Sequence, residues 1–279
     1  MNASRPIGIF DSGVGGLTVF RAVRERLPRE NLAYFGDTQH VPYGTKSPET
    51  VIRLSLMHAS FLLRRGIKFL VVACNTASAV ALPLLRRRLP VPVLGVIEPG
   101  VREALAGTRS GRIGVLGTGT TVASGAYQRG LAGGGRKVKV IARACPLFVP
   151  LAEEGWAGHP VTFHVAREYL GSLKKARVDT VILGCTHYPL LHRPIGKVLG
   201  KGVRMVDSAR AVAVELERQL EKNGLVRKNG GRGAESFFLT DTGGSFRPVA
   251  ERFLGRPIGH IVKVTISINP VRDTAGRRS

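Results

Sequence analysis

Short apolar runs alternate with amphipathic stretches along the chain. The runs Ile7-Gly8-Ile9-Phe10, Phe69-Leu70-Val71-Val72, Val93-Leu94-Gly95-Val96, Ile113-Gly114-Val115-Leu116, Val138 to Ile141 and Thr180-Val181-Ile182-Leu183 are rich in β-branched residues and nearly unbroken. Such runs suit strands covered on both faces, because a strand with one wet face alternates apolar and polar positions. Between them, Pro48 to Arg65 and Val161 to Lys175 repeat apolar residues at helical spacing. This alternation predicts an α/β protein of mainly parallel sheets flanked by helices, with ligands at the carboxyl ends of the strands. Further on, Val212 to Lys222 reads as a helix, Arg227 to Gly233 as a flexible loop and Phe237 to Thr240 as a strand. Arg272 to Ser279 reads as a disordered end.

The pattern also repeats. Pro6-Ile-Gly-Ile-Phe-Asp-Ser-Gly is echoed by Arg112-Ile-Gly-Val-Leu-Gly-Thr-Gly, an offset of 106 residues. Phe69-Leu-Val-Val-Ala-Cys-Asn-Thr is echoed by Thr180-Val-Ile-Leu-Gly-Cys-Thr-His, an offset of 111. Two matched features at nearly one offset predict two similar α/β halves. Each half needs several strands, so the last part of the chain is expected to return to the first. The predicted domains are 1–97 plus 210–279, and 98–209, with the site in the cleft between them.

Composition narrows the class. A chain of 279 residues fits about two domains. No apolar run approaches the roughly 18 residues of a membrane span. The start, MNASRPIGIF, lacks the apolar core and cleavage site of a secretory signal. The expectation is a cytoplasmic protein with no membrane partner. Lys and Arg number 42 against 19 Asp and Glu, a net charge of +23. That balance can serve nucleic acid. However, tight basic clusters occur only at Arg86-Arg87-Arg88 and in the Gly-rich Arg227 to Arg232, with no interleaved aromatics. A solvated basic surface without a specific nucleic-acid partner is therefore favoured; it would still attract an acidic small molecule.

Cys74, Cys145 and Cys185 form no Cys-x-x-Cys pair, and in a reducing cytosol they are expected to be free thiols. Cys74 and Cys185 each end an apolar strand at the equivalent place in the two halves. If the halves face each other, the two thiols approach one cleft from opposite sides. Inverting a stereocentre needs that arrangement: one group takes a proton from one face and the other returns one to the opposite face. A helix N-terminus following each thiol would favour the thiolate. Asp11-Ser12-Gly13-Val14-Gly15-Gly16 is a glycine-rich turn that lets backbone N–H groups approach a carboxylate. It is not a dinucleotide fingerprint, since Thr18 stands where the third glycine belongs, and no Gly-Lys-Ser/Thr exists. Spacing leaves Asp11 open between a helix cap and a catalytic group. His187 is either a hydrogen-bonded structural residue or a general acid/base beside Cys185. Glu153 and Glu154 read by default as exposed helix-start carboxylates. A zinc site from Cys74, Cys145, Cys185 and His187 is disfavoured by its spacing.

Together these segments resemble a known family, the glutamate racemases of the aspartate/glutamate racemase superfamily. The carriers are Gly8-Ile-Phe-Asp-Ser-Gly-Val-Gly-Gly-Leu-Thr-Val, Gly36-Asp-Thr, Val41-Pro-Tyr-Gly, Ala73-Cys-Asn-Thr-Ala, Gly95-Val-Ile-Glu-Pro-Gly, Ala144-Cys-Pro-Leu and Leu183-Gly-Cys-Thr-His-Tyr-Pro-Leu. The resemblance runs almost the whole length. It implies an isomerase that interconverts L- and D-glutamate for peptidoglycan, with no pyridoxal phosphate, metal, nucleotide or other cofactor. It implies Cys74 and Cys185 as paired acid/base thiols, Asp11 assisting Cys74, and Glu153 and His187 assisting Cys185. Substrate contacts are implied for Asp11, Ser12, Tyr43, Gly44, Asn75, Thr76, Thr186 and His187. Thr118 and Thr121 match the family's second Gly-Thr loop less closely. Cys145 lies in a family motif outside the pair and is expected to be buried. A homodimer is left open, and the resemblance leaves the net charge of +23 unexplained. The alternatives are an aspartate or hydantoin racemase with the same cysteine pair, or a basic nucleic-acid-binding protein that keeps the fold.

Overall fold

The computed structural model describes residues 2–243 and 246–266, so the expected disorder of 272–279 lies outside the described residues. Ten strands are present among the described residues: β1 Ile7–Asp11, β2 Leu32–Gly36, β3 Phe69–Val72, β4 Val93–Gly95, β5 Arg112–Gly117, β6 Lys139–Ala144, β7 Thr180–Gly184, β8 Arg204–Asp207, β9 Glu235–Leu239 and β10 Ile261–Lys263. They form two sheets, ordered β10-β9-β2-β1-β3-β4 and β6-β5-β7-β8, and every pairing is parallel. The segment β2-β1-β3-β4 has the same order as β6-β5-β7-β8, so the sequence echoes fall on matching strands: β1 on β5, and β3 on β7.

The unbroken apolar runs follow from coverage on both faces. In β1, Ile7 and Ile9 enter one core cluster and Phe10 the other; in β3, Phe69 and Val71 part in the same way from Leu70 and Val72. A strand turns alternate side chains to opposite faces, so two packed faces demand apolar residues at every position. The larger cluster continues from β1 and β3 into β5 and β7 of the second sheet.

The sequence reading missed β2, β8 and β10. The run of β2, Leu-Ala-Tyr-Phe-Gly, is wholly buried but contains no β-branched residue. β8 and β10 sit at sheet edges with mixed burial and so lack an apolar run. β6 is also an edge strand, and its half-buried Lys-Val-Ile-Ala-Arg-Ala corrects the expectation of cover on both faces. The helix expected from Val212 begins at Ser208, because the Asp207 carboxylate accepts from the Ala209 N–H at 2.9 Å and caps it. The helices expected at Pro48 and Val161 run over Pro48–Arg64 and Pro160–Lys175.

The late strands β9 and β10 extend the first sheet beyond β2. Their approach is pinned by buried charge. Lys68, wholly buried, pairs with Glu30 and donates to the carbonyls of Ala3 and, at 2.8 Å, Leu225. The other Glu30 oxygen accepts from the Arg227 N–H at 2.8 Å, so the start of the loop expected to be flexible is tied to the sheet. No helix among the described residues is long and apolar enough to cross a membrane.

Candidate active site

Both matched thiols stand at the carboxyl ends of equivalent strands, Cys74 after β3 and Cys185 after β7, and both line one cavity of about 30 Å³ between the sheets. Of the thirteen expected site residues, ten line it: Ser12, Tyr43, Gly44, Cys74, Asn75, Thr76, Thr118, Cys185, Thr186 and His187. Thr121 and Glu153 stand behind these, bonded to Thr118 and His187, and Asp11 is wholly buried next to Ser12 in the chain. Val41, Pro42 and Val149 complete the wall and were not among the expected site residues, although Val41 and Pro42 directly precede Tyr43 in a segment that carried the resemblance.

Cys74 caps the helix Asn75–Val80: its sulfur accepts from the Ala77 N–H at 3.5 Å and faces the Ser12 hydroxyl at 3.6 Å. The expected thiolate preference does not follow. Burial and the nearby Asp11 charge outweigh the helix N–H and Ser12, and push the Cys74 thiol up to about 12. Asp11 is not the helix cap. One of its oxygens accepts from the Gly13 N–H at 3.1 Å and the other has no partner, while the helix starts later, at Leu17. Burial raises the Asp11 carboxyl above its usual range, against the pull of His187 and the loop N–H groups.

Around Cys185 the neighbours differ. No α-helix starts there; a single 3₁₀ turn, Tyr188–Leu191, follows. The Cys185 sulfur lies 3.7 Å from His187 Nδ1, and His187 Nε2 lies 2.9 Å from the Glu153 carboxylate. Burial disfavours the imidazolium, but the sulfur and Glu153 at its two nitrogens overrule it and raise His187 to about 10. Glu153 ends the helix Phe148–Glu153 rather than starting one, and its side chain is one-third exposed. Glu154 points to solvent. Cys145 is buried at the end of β6, and burial pushes its thiol up to about 12. Among the described residues no three His, Cys, Asp or Glu side chains converge as a metal-binding set.

Polar groups ring the cavity between the thiols. The hydroxyls of Thr76, Thr118 and Thr121 form a triangle with sides of 3.0, 3.2 and 2.9 Å. Tyr127, which no sequence motif singles out, donates to the Asn75 side-chain carbonyl at 2.6 Å. This leaves the buried Asn75 amide nitrogen without a protein partner. Tyr43 donates to the buried Asp37 at 2.6 Å, and Asp37 also accepts from Thr240. The arrangement is a small cavity ringed by polar groups, with a thiol sulfur at two places in its wall.

A family model described as Asp/Glu/Hydantoin racemase matches residues 15–216. The chain is 53% identical over 262 residues to a glutamate racemase of Geobacter metallireducens, covering 94% of this chain and 97% of the relative. It is similar to the crystal structure of glutamate racemase from Thermus thermophilus in complex with β-chloro-D-alanine, with a TM-score of 0.86, 48% identity, and 95% and 99% of the two chains covered. The structure of glutamate racemase from Francisella tularensis in complex with D-glutamate aligns with a TM-score of 0.89 and 34% identity, covering 95% and 98%.

Proposed function

The chain belongs to the Asp/Glu/Hydantoin racemase family, and from that premise we propose that it is a glutamate racemase working by a two-thiol proton transfer. The observation that carries the reading is the pair of thiols at equivalent strand ends, Cys74 and Cys185, in the wall of one cavity. The relatives' names favour glutamate over aspartate or hydantoin.

Cys185 as thiolate takes the α-proton of L-glutamate, and Cys74 delivers its proton to the opposite face; D-glutamate runs the steps in reverse. The high pKa of Cys74 suits the donor role in the first direction. The imidazolium of His187, steadied by Glu153, stabilises negative charge at the Cys185 sulfur. In the reverse direction Cys74 must hold a thiolate, and the substrate's ammonium group offsets the charge of Asp11 that opposes it. The free Asn75 amide and the hydroxyls of Ser12, Thr76 and Thr186 supply donors for a carboxylate. Fixed donors in a dry site stabilise the carbanion-like intermediate better than water does. A cavity of about 30 Å³ admits a water or two, so its walls must part before glutamate enters. We assign residues 1–97 with 210–279 to one domain and 98–209 to the other, and D-glutamate to peptidoglycan synthesis.

Serine at either thiol tests the mechanism. Racemisation, followed by circular dichroism, is expected to vanish in both Cys74→Ser and Cys185→Ser, because serine is a far weaker acid. Elimination from β-chloroalanine needs only one base: the α-proton leaves, the electron pair forms the Cα–Cβ double bond, and chloride departs. Cys74→Ser is expected to keep elimination from the L-analogue and Cys185→Ser from the D-analogue. Equal loss on both analogues in both variants refutes the two-base assignment.

A further inference from the structure

The helix Phe246–Leu254 follows β9, a strand of the first sheet, yet its last turn reaches the acid/base group of the second. Phe253, wholly buried, packs edge to face with the His187 ring, with centroids 5.0 Å apart and planes at 74°. Beside it, Arg252 donates from its guanidinium to the Glu153 backbone carbonyl. That carbonyl belongs to the last turn of helix Phe148–Glu153, where C=O groups lack helical partners and a cation meets the negative end of the dipole. Gly155 makes the approach feasible. It has φ of +75°, and a Cβ there would lie 2.7 Å from the Arg252 guanidinium carbon. His187 is thus held at both nitrogens by Cys185 and Glu153 and at its ring by Phe253, while Glu153 is itself anchored through Arg252. The hydrogen-bond partners of Cys74, by contrast, are Ser12 and the Ala77 N–H, neither on this helix.

We propose that Phe253 and Arg252 are positioning residues for the His187–Glu153 pair, and that through it this helix acts on proton transfer at Cys185 and not at Cys74. The proposal rests on the two-thiol reading. It gives the segment after β9 a part in the chemistry, in addition to its strands in the first sheet. Neither residue touches the reacting atoms. Each limits how far the imidazole and its carboxylate can drift from the sulfur, and such drift is costly: a displacement near 1 Å can slow a reaction about 100-fold.

The test uses elimination from the two enantiomers of β-chloroalanine by the full chain and by Phe253→Leu, Arg252→Gln and Arg252→Lys. The Cys185-dependent enantiomer is defined as the one that Cys185→Ser no longer processes. Phe253→Leu is expected to slow that enantiomer about tenfold, with the other within about twofold, since its loss of ring contact loosens His187 by only part of such a displacement. Arg252→Gln is expected to act on the same enantiomer, and Arg252→Lys to recover part of the loss. Arg252 is exposed, so its variants decide the matter even if Phe253→Leu fails to fold. Equal slowing of both enantiomers, or slowing of neither, overturns the proposal and leaves the two-thiol reading standing. Failure of the unaltered chain to eliminate from either enantiomer overturns both.

Discussion

A methyl group added at Gly15 offers a direct test of the proposed site. Gly15 lies in the turn after β1, pressed against the turn after β7. A Cβ on it would stand 2.2 Å from Thr186 Oγ1, 2.5 Å from His187 Nδ1 and 2.6 Å from His187 Cε1, where ordinary contact begins at 3.4 Å. The imidazole must therefore retreat by about 0.9 Å and the Thr186 hydroxyl by about 1.2 Å. The ring cannot move freely. Nδ1 faces Cys185 at 3.7 Å, Nε2 holds Glu153 at 2.9 Å, and Phe253 backs the ring. The retreat either breaks the Glu153 bond or misaims Nδ1 from the sulfur. A misplacement near 1 Å costs on the order of 100-fold in rate, equivalent to about 2.7 kcal/mol of transition-state stabilisation. Overpacking costs the fold about 1–3 kcal/mol. Gly15→Ala is thus expected to cut kcat for glutamate racemisation about 100-fold, by circular dichroism, while a cooperative thermal melt persists at lower temperature. A folded Gly15→Ala protein within about threefold of the parent kcat would refute the placement of His187 beside the reacting thiol.

Two further outcomes follow from buried charge. His187 is raised to about 10 in the folded protein from an ordinary 6.5, so its contribution to stability is full below about pH 6.5 and is lost as pH rises through 10. The melting temperature of the parent should fall across that window, and His187→Asn should flatten the fall; a parallel pH slope in the variant excludes His187 as its source. Lys68→Ala leaves the buried Glu30 without its cation, with only the Arg227 N–H as partner among the described residues, and is expected to cost about 3–5 kcal/mol in a urea melt. Activity per folded molecule should be preserved, and a loss under about 1 kcal/mol would show that the staple does not hold the β9 approach in place.

What the sequence revealed and what it hid divide along one physical line. Cys74 and Cys185 were legible because both end apolar strands, and the repeat of strand order, β2-β1-β3-β4 against β6-β5-β7-β8, turns a spacing of 111 residues into a shared cavity wall. Strand centres such as β1 and β3 were legible because two packed faces impose apolar residues at successive positions. β8 and β10 were not, since each is short with at most one buried residue, whereas the edge strand β4 is buried throughout. Nor was the charge state at the thiols. A helix N-terminus is written locally and argues for a thiolate at Cys74, but burial and Asp11, 63 residues earlier, outweigh it. The same holds for the supporting residues. Tyr127 meets Asn75 across 52 residues, and Arg252 meets Glu153 across 99. Neither carries a local pattern, because a Tyr or Arg on a helix reads alike whether it meets water or a residue near the cavity. Phe253 is the sharpest case. As one apolar residue in the stripe Phe246, Ala250, Phe253 and Leu254, it is indistinguishable in sequence from core packing. Only the return of the chain after β9 brings that stripe against His187, so residues that back the proposed site from another part of the chain have to be sought in the packing.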